Sequence, residues 1–281
     1  MKNLFLTAAM IMGLIFANAQ VTTPQASPSA MVKQTVGLTE VTVEYARPSA
    51  KERKVFGNVV PMNKLWRTGA NNATSIEFST PVNFGGVDVK PGKYALYTVP
   101  SENHWEIILY EDYKQWGAPE KLDEKLIVAH TKAEAGKIEP RVESFSIGFN
   151  DLTNKSANLS LTWEHVMVKV PISVDPHKAV MESIKKTMSG DPTAGDFNSA
   201  ASYFLENNME LKTALEYITR AVQMNPEAFW MSATKAEIQA ANGDYKGAIA
   251  TAQKSLELAK KADYDAYIKK NSENIEKWSK K

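Results

Sequence analysis

An antiparallel β-sandwich followed by an α-helical repeat domain is the fold class this 281-residue sequence predicts. Three observations predict it. Apolar residues recur with a period of two from Val32 to Ile172, the period becomes helical at Asp175-Pro176, and the helical half repeats its own pattern after 34 residues. Strands put successive side chains on opposite faces, whereas helices return to the same face every three or four residues.

The chain opens with Lys2, then an apolar and small run from Leu4 to Ala17, then Ala17-Asn18-Ala19 and Gln20. A basic start, a short apolar segment and an Ala-x-Ala site describe a secretory signal peptide over residues 1–19, cut after Ala19. The run is shorter than the roughly 18–20 residues a membrane span needs. The sequence therefore predicts an exported protein of the periplasm or cell surface, with no transmembrane segment once the leader is removed. Lys2 is the only ionised side chain in that leader. Without it the 33 Lys and Arg residues fall by one and equal the 32 Asp and Glu. A neutral chain has no field to gather nucleic acid, so a nucleic-acid partner is not expected. The absence of cysteine excludes disulfides, thiolate nucleophiles and lipid attachment through a Cys, and it suits a bacterial envelope better than a eukaryotic secretory route.

The β domain is expected over residues 28–174. Val41, Val43 and Tyr45 alternate with polar neighbours, as do Phe145, Ile147 and Phe149, and Leu159, Leu161 and Trp163. Ile76 with Phe78, the stretch Tyr94 to Val99 and the stretch Trp105 to Tyr110 supply further strands. Gly37-Leu38, Gly85-Gly86, Pro91-Gly92 and Pro100-Ser101 punctuate them as turns. After Trp163 the apolar phase slips by one to Val166, Val168, Val170 and Ile172, which requires a bulge or a very tight turn at Glu164-His165. Many short strands with Gly/Pro turns make a sandwich. The stretch Tyr113 to Lys125 fits either a brief helical turn or a loop.

The helical domain is expected over residues 176–281. Asp175 can cap a helix beginning at Pro176, whose missing N–H is not needed there. Ala179, Ile184 and Met188 fall near one face of that helix, and Gly190-Asp191-Pro192 ends it. Beyond it, Ser202 and Ala236, Ala214 and Ala248, and Ala221 and Ser255 are each 34 residues apart. The pattern resembles the tetratricopeptide repeat, in which small residues sit where paired helices touch. It departs from that consensus where Asn198 or Ser232 holds the usual Trp position. Such an array often takes a protein or peptide partner on its concave face; a few repeats can also merely stabilise their neighbour.

Chemistry is harder to find. His104, His130, His165 and His177 share no metal-ligand spacing, so no metal site is expected. There is no Gly-x-Ser-x-Gly elbow, and neither a phosphate loop nor a dinucleotide turn that would call for a cofactor. No catalytic residue is nominated. One loop-rich segment, Arg47 to Thr74, concentrates Arg47, Arg53, Trp66, Arg67 and Asn71. Arginine forks bind carboxylates or phosphates, and a Trp face stacks on sugars, so these five residues are the candidate ligand site. The other reading is a long loop pinned by Arg–carbonyl hydrogen bonds with Trp66 as its plug.

That segment also carries a family resemblance. Tyr45-Ala46-Arg47-Pro48, Lys54-Val55-Phe56-Gly57, Val60-Pro61, Leu65-Trp66-Arg67-Thr68-Gly69-Ala70-Asn71 and Ala73-Thr74 resemble the domain-of-unknown-function family 2911. So do Pro91-Gly92-Lys93-Tyr94-Ala95-Leu96 and Gln115-Trp116-Gly117-Ala118. The resemblance spans about residues 28–174. It implies an exported bacterial protein, in some cases with helical repeats after the domain, and it implies no activity. The functional expectation is a non-enzymatic binding protein for a small anionic or saccharide ligand, or for a protein partner. The alternatives are an envelope-polymer hydrolase with the Arg47–Thr74 loop at its site, and a purely structural module.

Overall fold

A computed structural model describes residues 23–281. The expected leader lies outside the described residues. The chain divides into two compact units, the first ending at Pro176 and the second running His177–Lys281.

The described residues of the first unit form nine strands: β1 (Ser29–Val36), β2 (Thr39–Ala46), β3 (Thr74–Phe78), β4 (Val82–Phe84), β5 (Val87–Val89), β6 (Gly92–Pro100), β7 (His104–Tyr110), β8 (Ile127–Asn150) and β9 (Ser156–Ser173). Every pairing is antiparallel, in the order β1-β2-β3-β6-β7-β8-β9-β4-β5. The long β8 serves two neighbours: its first part, to Glu134, pairs with β7, and its second, from Ala135, pairs with β9. The strands on both sides of β8 pack against one apolar core that includes Val43, Ile76, Phe78, Phe84, Leu96, Ile107, Phe145, Leu161 and Val170.

Two details follow from the pattern of residues. The apolar runs of β6 and β7 do not alternate because both of their faces are covered. Tyr94, Leu96, Trp105, Ile107 and Leu109 face the main core, whereas Ala95, Tyr97, Ile108 and Tyr110 enter a smaller cluster with Tyr113, Ala118 and Leu122. The segment Tyr113 to Lys125 is thus a loop that roofs the outer face of the sheet, ending in a single 3-10 turn at Glu124–Leu126. The second detail is the phase slip in β9. Glu164 adopts φ +52°, and the β8–β9 register shifts beside it. The left-handed kink at Glu164 breaks the alternation by one and turns Val168, Val170 and Ile172 back to the core that Leu159, Leu161 and Trp163 already occupy, while the extra residues of the shifted register bulge out of β8 between Lys137 and Ser146.

The second unit is helical: α1 (His177–Met188), α2 (Ala194–Glu206), α3 (Leu211–Met224), α4 (Phe229–Ala241), α5 (Tyr245–Lys261) and α6 (Asp265–Trp278). α1 starts one residue after Pro176, and its packed side is Met181, Ile184 and Met188, with Ala179 exposed. Ala179 is therefore a correction to the face read from sequence, since Met181 sits one turn before Ile184 and takes the place assigned to it. α2 begins with a capping box in which Thr193 and Asp196 satisfy each other's backbone N–H. Hydrogen bonds from Thr193 hold the Asp196 carboxyl below its ordinary value.

The 34-residue offset appears as shared burial. Phe197 and Met231, Phe204 and Ile238, Ala214 and Ala248, Ile218 and Ala252, and Ala221 and Ser255 are all buried. Small residues at 214, 221, 248 and 252 let α2 meet α3 and α4 meet α5 closely. At 198 and 232, Asn198 Oδ1 and Ser232 Oγ are buried with no hydrogen-bond partner among the described residues.

Candidate functional site

The five residues nominated from sequence do not gather around an opening. Arg47 donates from Nε to the Phe145 carbonyl at 3.1 Å and from Nη2 to Ser146 Oγ at 2.6 Å. Its neighbours complete the seam: Ala50 N donates to Glu143 O and Phe145 N donates to Pro48 O, each at 2.9 Å. Arg53 folds back onto its own turn, with Nε on Ala50 O at 3.0 Å and Nη2 on Ser49 O at 2.8 Å. Arg67 Nη1 donates to Asn71 O at 2.8 Å. The three guanidinium groups thus end on three separate sets of acceptors, mostly backbone carbonyls.

Trp66 is a correction to its nomination as a stacking surface. It is 7% exposed and belongs to the main core. It stacks on Trp163 (ring centroids 6.2 Å apart, planes at 21°) and meets Trp105 and Phe145 edge-on at 6.0 and 5.1 Å. Its Nε1 donates to Gly69 O at 3.0 Å. Backbone bonds in both directions between Trp66 and Thr98 fasten it to β6. The turn beyond it is equally tight: Thr68 is fully buried at φ +56°, and Thr74 Oγ1 donates to Thr68 O at 2.6 Å. Of the nominated residues, Asn71, at φ +61°, lines an opening.

That opening is a surface cleft of about 810 Å³ over the outer side of β1 and β2, within the size range of small-ligand sites. Asn71 and Asn72 form one wall, and Lys93, Tyr113, Lys114 and Trp116 form another; Glu44 and Met31 also line it. Trp116 is 73% exposed. It stands on a loop clipped to the Asn71–Thr74 turn, where Asn72 and Trp116 form an isolated β-bridge and Ala73 N donates to Gln115 O at 3.1 Å. Gly117 follows at φ +83°, and a Cβ there would lie 3.5 Å from Arg67 Nη1. Arg67 therefore packs between the two loops, bonded to Asn71 and against Gly117. Its part in the cleft is to position walls. Asn71 Nδ2 donates to Gln25 Oε1 and to Ser27 O, both at 3.1 Å, tying the segment before β1 into the rim.

The charge in the cleft is arranged around Tyr113. Lys93 Nζ and Lys114 Nζ lie 5.6 and 5.8 Å from the centre of its ring. Lys93 is also paired with Glu44 at 3.1 Å. The Asp112 carboxylate is turned to its own loop, accepting from Lys114 N at 3.1 Å and Gln115 Nε2 at 2.5 Å. Beneath lies Tyr97, fully buried, its hydroxyl without a partner among the described residues. Burial pushes its pKa up to about 12, with the Asp112 and Tyr110 side chains adding to the effect and Arg67 opposing it.

Sequence reasoning missed Lys93, Tyr113, Lys114 and Trp116. The signal was present in Gln115-Trp116-Gly117-Ala118, a Trp in a loop without apolar alternation to bury it. An exposed indole, a lysine-flanked phenol ring and side-chain amides form a surface for stacking and hydrogen bonding. Glu44 is the one carboxylate among the lining residues, and it is paired. Among the described residues no three His, Asp or Glu side chains cluster as metal ligands, and no helix is long and apolar enough to cross a membrane.

Fold and site together define a β domain with an aromatic surface cleft, followed by a separate helical unit. The chain belongs to the family described as protein of unknown function (DUF2911), whose model matches residues 27–172, just over half of its length. No curated protein and no solved structure matches it.

Proposed function

We propose that this chain is an exported, non-enzymatic saccharide-binding protein that takes its ligand in the Trp116 cleft. One observation carries the reading: a Trp 73% exposed to solvent stands on a loop held in place by the Asn72 bridge and by Arg67. A large apolar side chain that contributes nothing to a core, on a loop pinned at both sides, is a stacking surface presented at low entropic cost. Asn71, Asn72 and the lysines supply the polar contacts that a pyranose ring requires along its edge. The helical unit, read as tetratricopeptide-like, would offer a second surface for a protein or peptide partner. Export rests on the leader-like residues 1–19.

The hydrolase reading needs Arg47, Arg53 and Arg67 to converge beside a carboxylate or histidine. They bond to separate acceptors instead, and hydrolysis of a glycosidic bond ordinarily takes two carboxylates facing one another. The test is a glycan array probed with the purified protein and with Trp116→Ala. Binding to a defined set of glycans that disappears in the variant supports the proposal. A blank array, or one that the variant reproduces, refutes it.

A further inference from the structure

We infer that the cleft selects a carboxylate-bearing sugar, an oligosaccharide of uronic acid residues, over its neutral counterpart; this rests on the saccharide reading just proposed. The argument is one of charge. Two ammonium groups, Lys93 and Lys114, stand within 6 Å of the centre of one phenol ring. Glu44 answers Lys93 alone, and Lys114 makes no ion pair among the described residues. Asp112 on the same loop turns its two oxygens to the Lys114 N–H and the Gln115 amide and is not among the residues that line the cleft. The lining therefore carries one positive charge in excess, at the edge of an aromatic surface.

An anion at that point satisfies Lys114 and relieves the repulsion between two like charges over one ring. A bare anion would leave Trp116 unused, and a neutral sugar would leave Lys114 unused. A pyranose with a ring carboxylate uses both: its C–H face lies on the indole while its carboxylate reaches the lysines. Asn71 and Asn72 border the same space for the hydroxyls. The exposed setting of Lys114 also makes the attraction sensitive to salt.

The experiment is isothermal titration of the purified protein with trimers of galacturonate, glucuronate and mannuronate, each as the free acid and as its methyl ester. The ester keeps the ring and removes the charge. The inference expects at least one free acid to bind about tenfold or more tighter than its ester, as loss of a charge-assisted hydrogen bond implies. Lys114→Ala should erase most of that difference, Trp116→Ala should weaken both forms, and raised ionic strength should weaken the acid alone. Unchanged melting temperatures confirm that both variants fold. Equal binding of acid and ester overturns the charge selectivity and leaves the saccharide reading standing. Binding of acetate or inorganic phosphate as tight as that of the trimers overturns the sugar. Failure of all six trimers overturns this inference, while the array decides the broader reading separately.

Discussion

Two tryptophans of this chain should respond to truncation in opposite ways. Trp66→Ala removes a side chain that is 7% exposed, stacked on Trp163 and bounded by Trp105 and Phe145. Truncating a buried Trp costs about 3–5 kcal/mol through lost burial and the cavity left behind. The Gly69 carbonyl also loses its Nε1 donor, which adds about 1 kcal/mol. A total near 4–6 kcal/mol is a large part of the roughly 5–15 kcal/mol that holds a domain together. At about 2–4 °C per kcal/mol for a domain of this size, the β-unit transition should fall by roughly 10–20 °C. Trp116→Ala removes a side chain 73% in solvent, so its cost should stay within about 0.5 kcal/mol, or roughly 2 °C. Differential scanning calorimetry of the two variants beside the parent reads both numbers. A Trp66→Ala shift below about 2 °C, or a Trp116→Ala shift exceeding it, would refute the division of labour between plug and platform.

Tyr97 and a pair of serines make further tests. The Tyr97 hydroxyl keeps its proton to about 12 in the folded state, against the ordinary value of 10.0. Between those values the unfolded chain releases a proton that the native state retains, so stability falls as pH rises from 10 to 12. Tyr97→Phe should flatten that decline in urea melts and, by removing an unpaired buried hydroxyl, should leave neutral-pH stability equal or up to about 1 kcal/mol higher. A loss of more than about 1 kcal/mol at neutral pH means the hydroxyl has a partner. In the helical unit, Ser255 donates to Phe229 O at 2.7 Å and accepts from Asn271 at 2.9 Å, whereas Ser232 has no partner among the described residues. Ser255→Ala should therefore cost about 1–3 kcal/mol while Ser232→Ala is neutral or stabilising; equal urea midpoints for the two would contradict the hydrogen-bond assignment.

Much of the fold was legible because its signals are local. Alternation marked most of the core strands, and the slip after Trp163 located the kink that Glu164 makes at φ +52°. Of the 34-residue pairs read from the sequence, Ala214 with Ala248 and Ala221 with Ser255 share burial, whereas Ser202 stays half-buried where Ala236 is buried. The face of α1 was misread at Ala179 because a small apolar residue fits either side of a helix, and the placement of Met181 decides which side packs. The candidate site was half legible. Trp66 and the arginines stand out by composition, but composition alone does not say whether a guanidinium finds a ligand or a carbonyl, or whether an indole is buried. At Arg53 and Arg67 the carbonyls won because a long loop leaves its acceptors without ladder partners, while Arg47 reaches across to Phe145 O and Ser146 Oγ on β8.

The residues themselves settled the β-then-α order, the kink and the helical period, since each depends on neighbours a few positions away. Tertiary structure decided where a ligand could sit. Asn71, Lys93 and Trp116 are brought to one cleft by the β3–β6 pairing and the Asn72–Trp116 bridge. It also sent the two loop tryptophans to opposite fates. Trp66 is drawn into the core by its backbone pairing with Thr98, and Trp116 is held out in solvent by a bridge whose far side is the rim of the cleft. No window of sequence contains those pairings, because the hydrogen bonds that make them join residues dozens of positions apart.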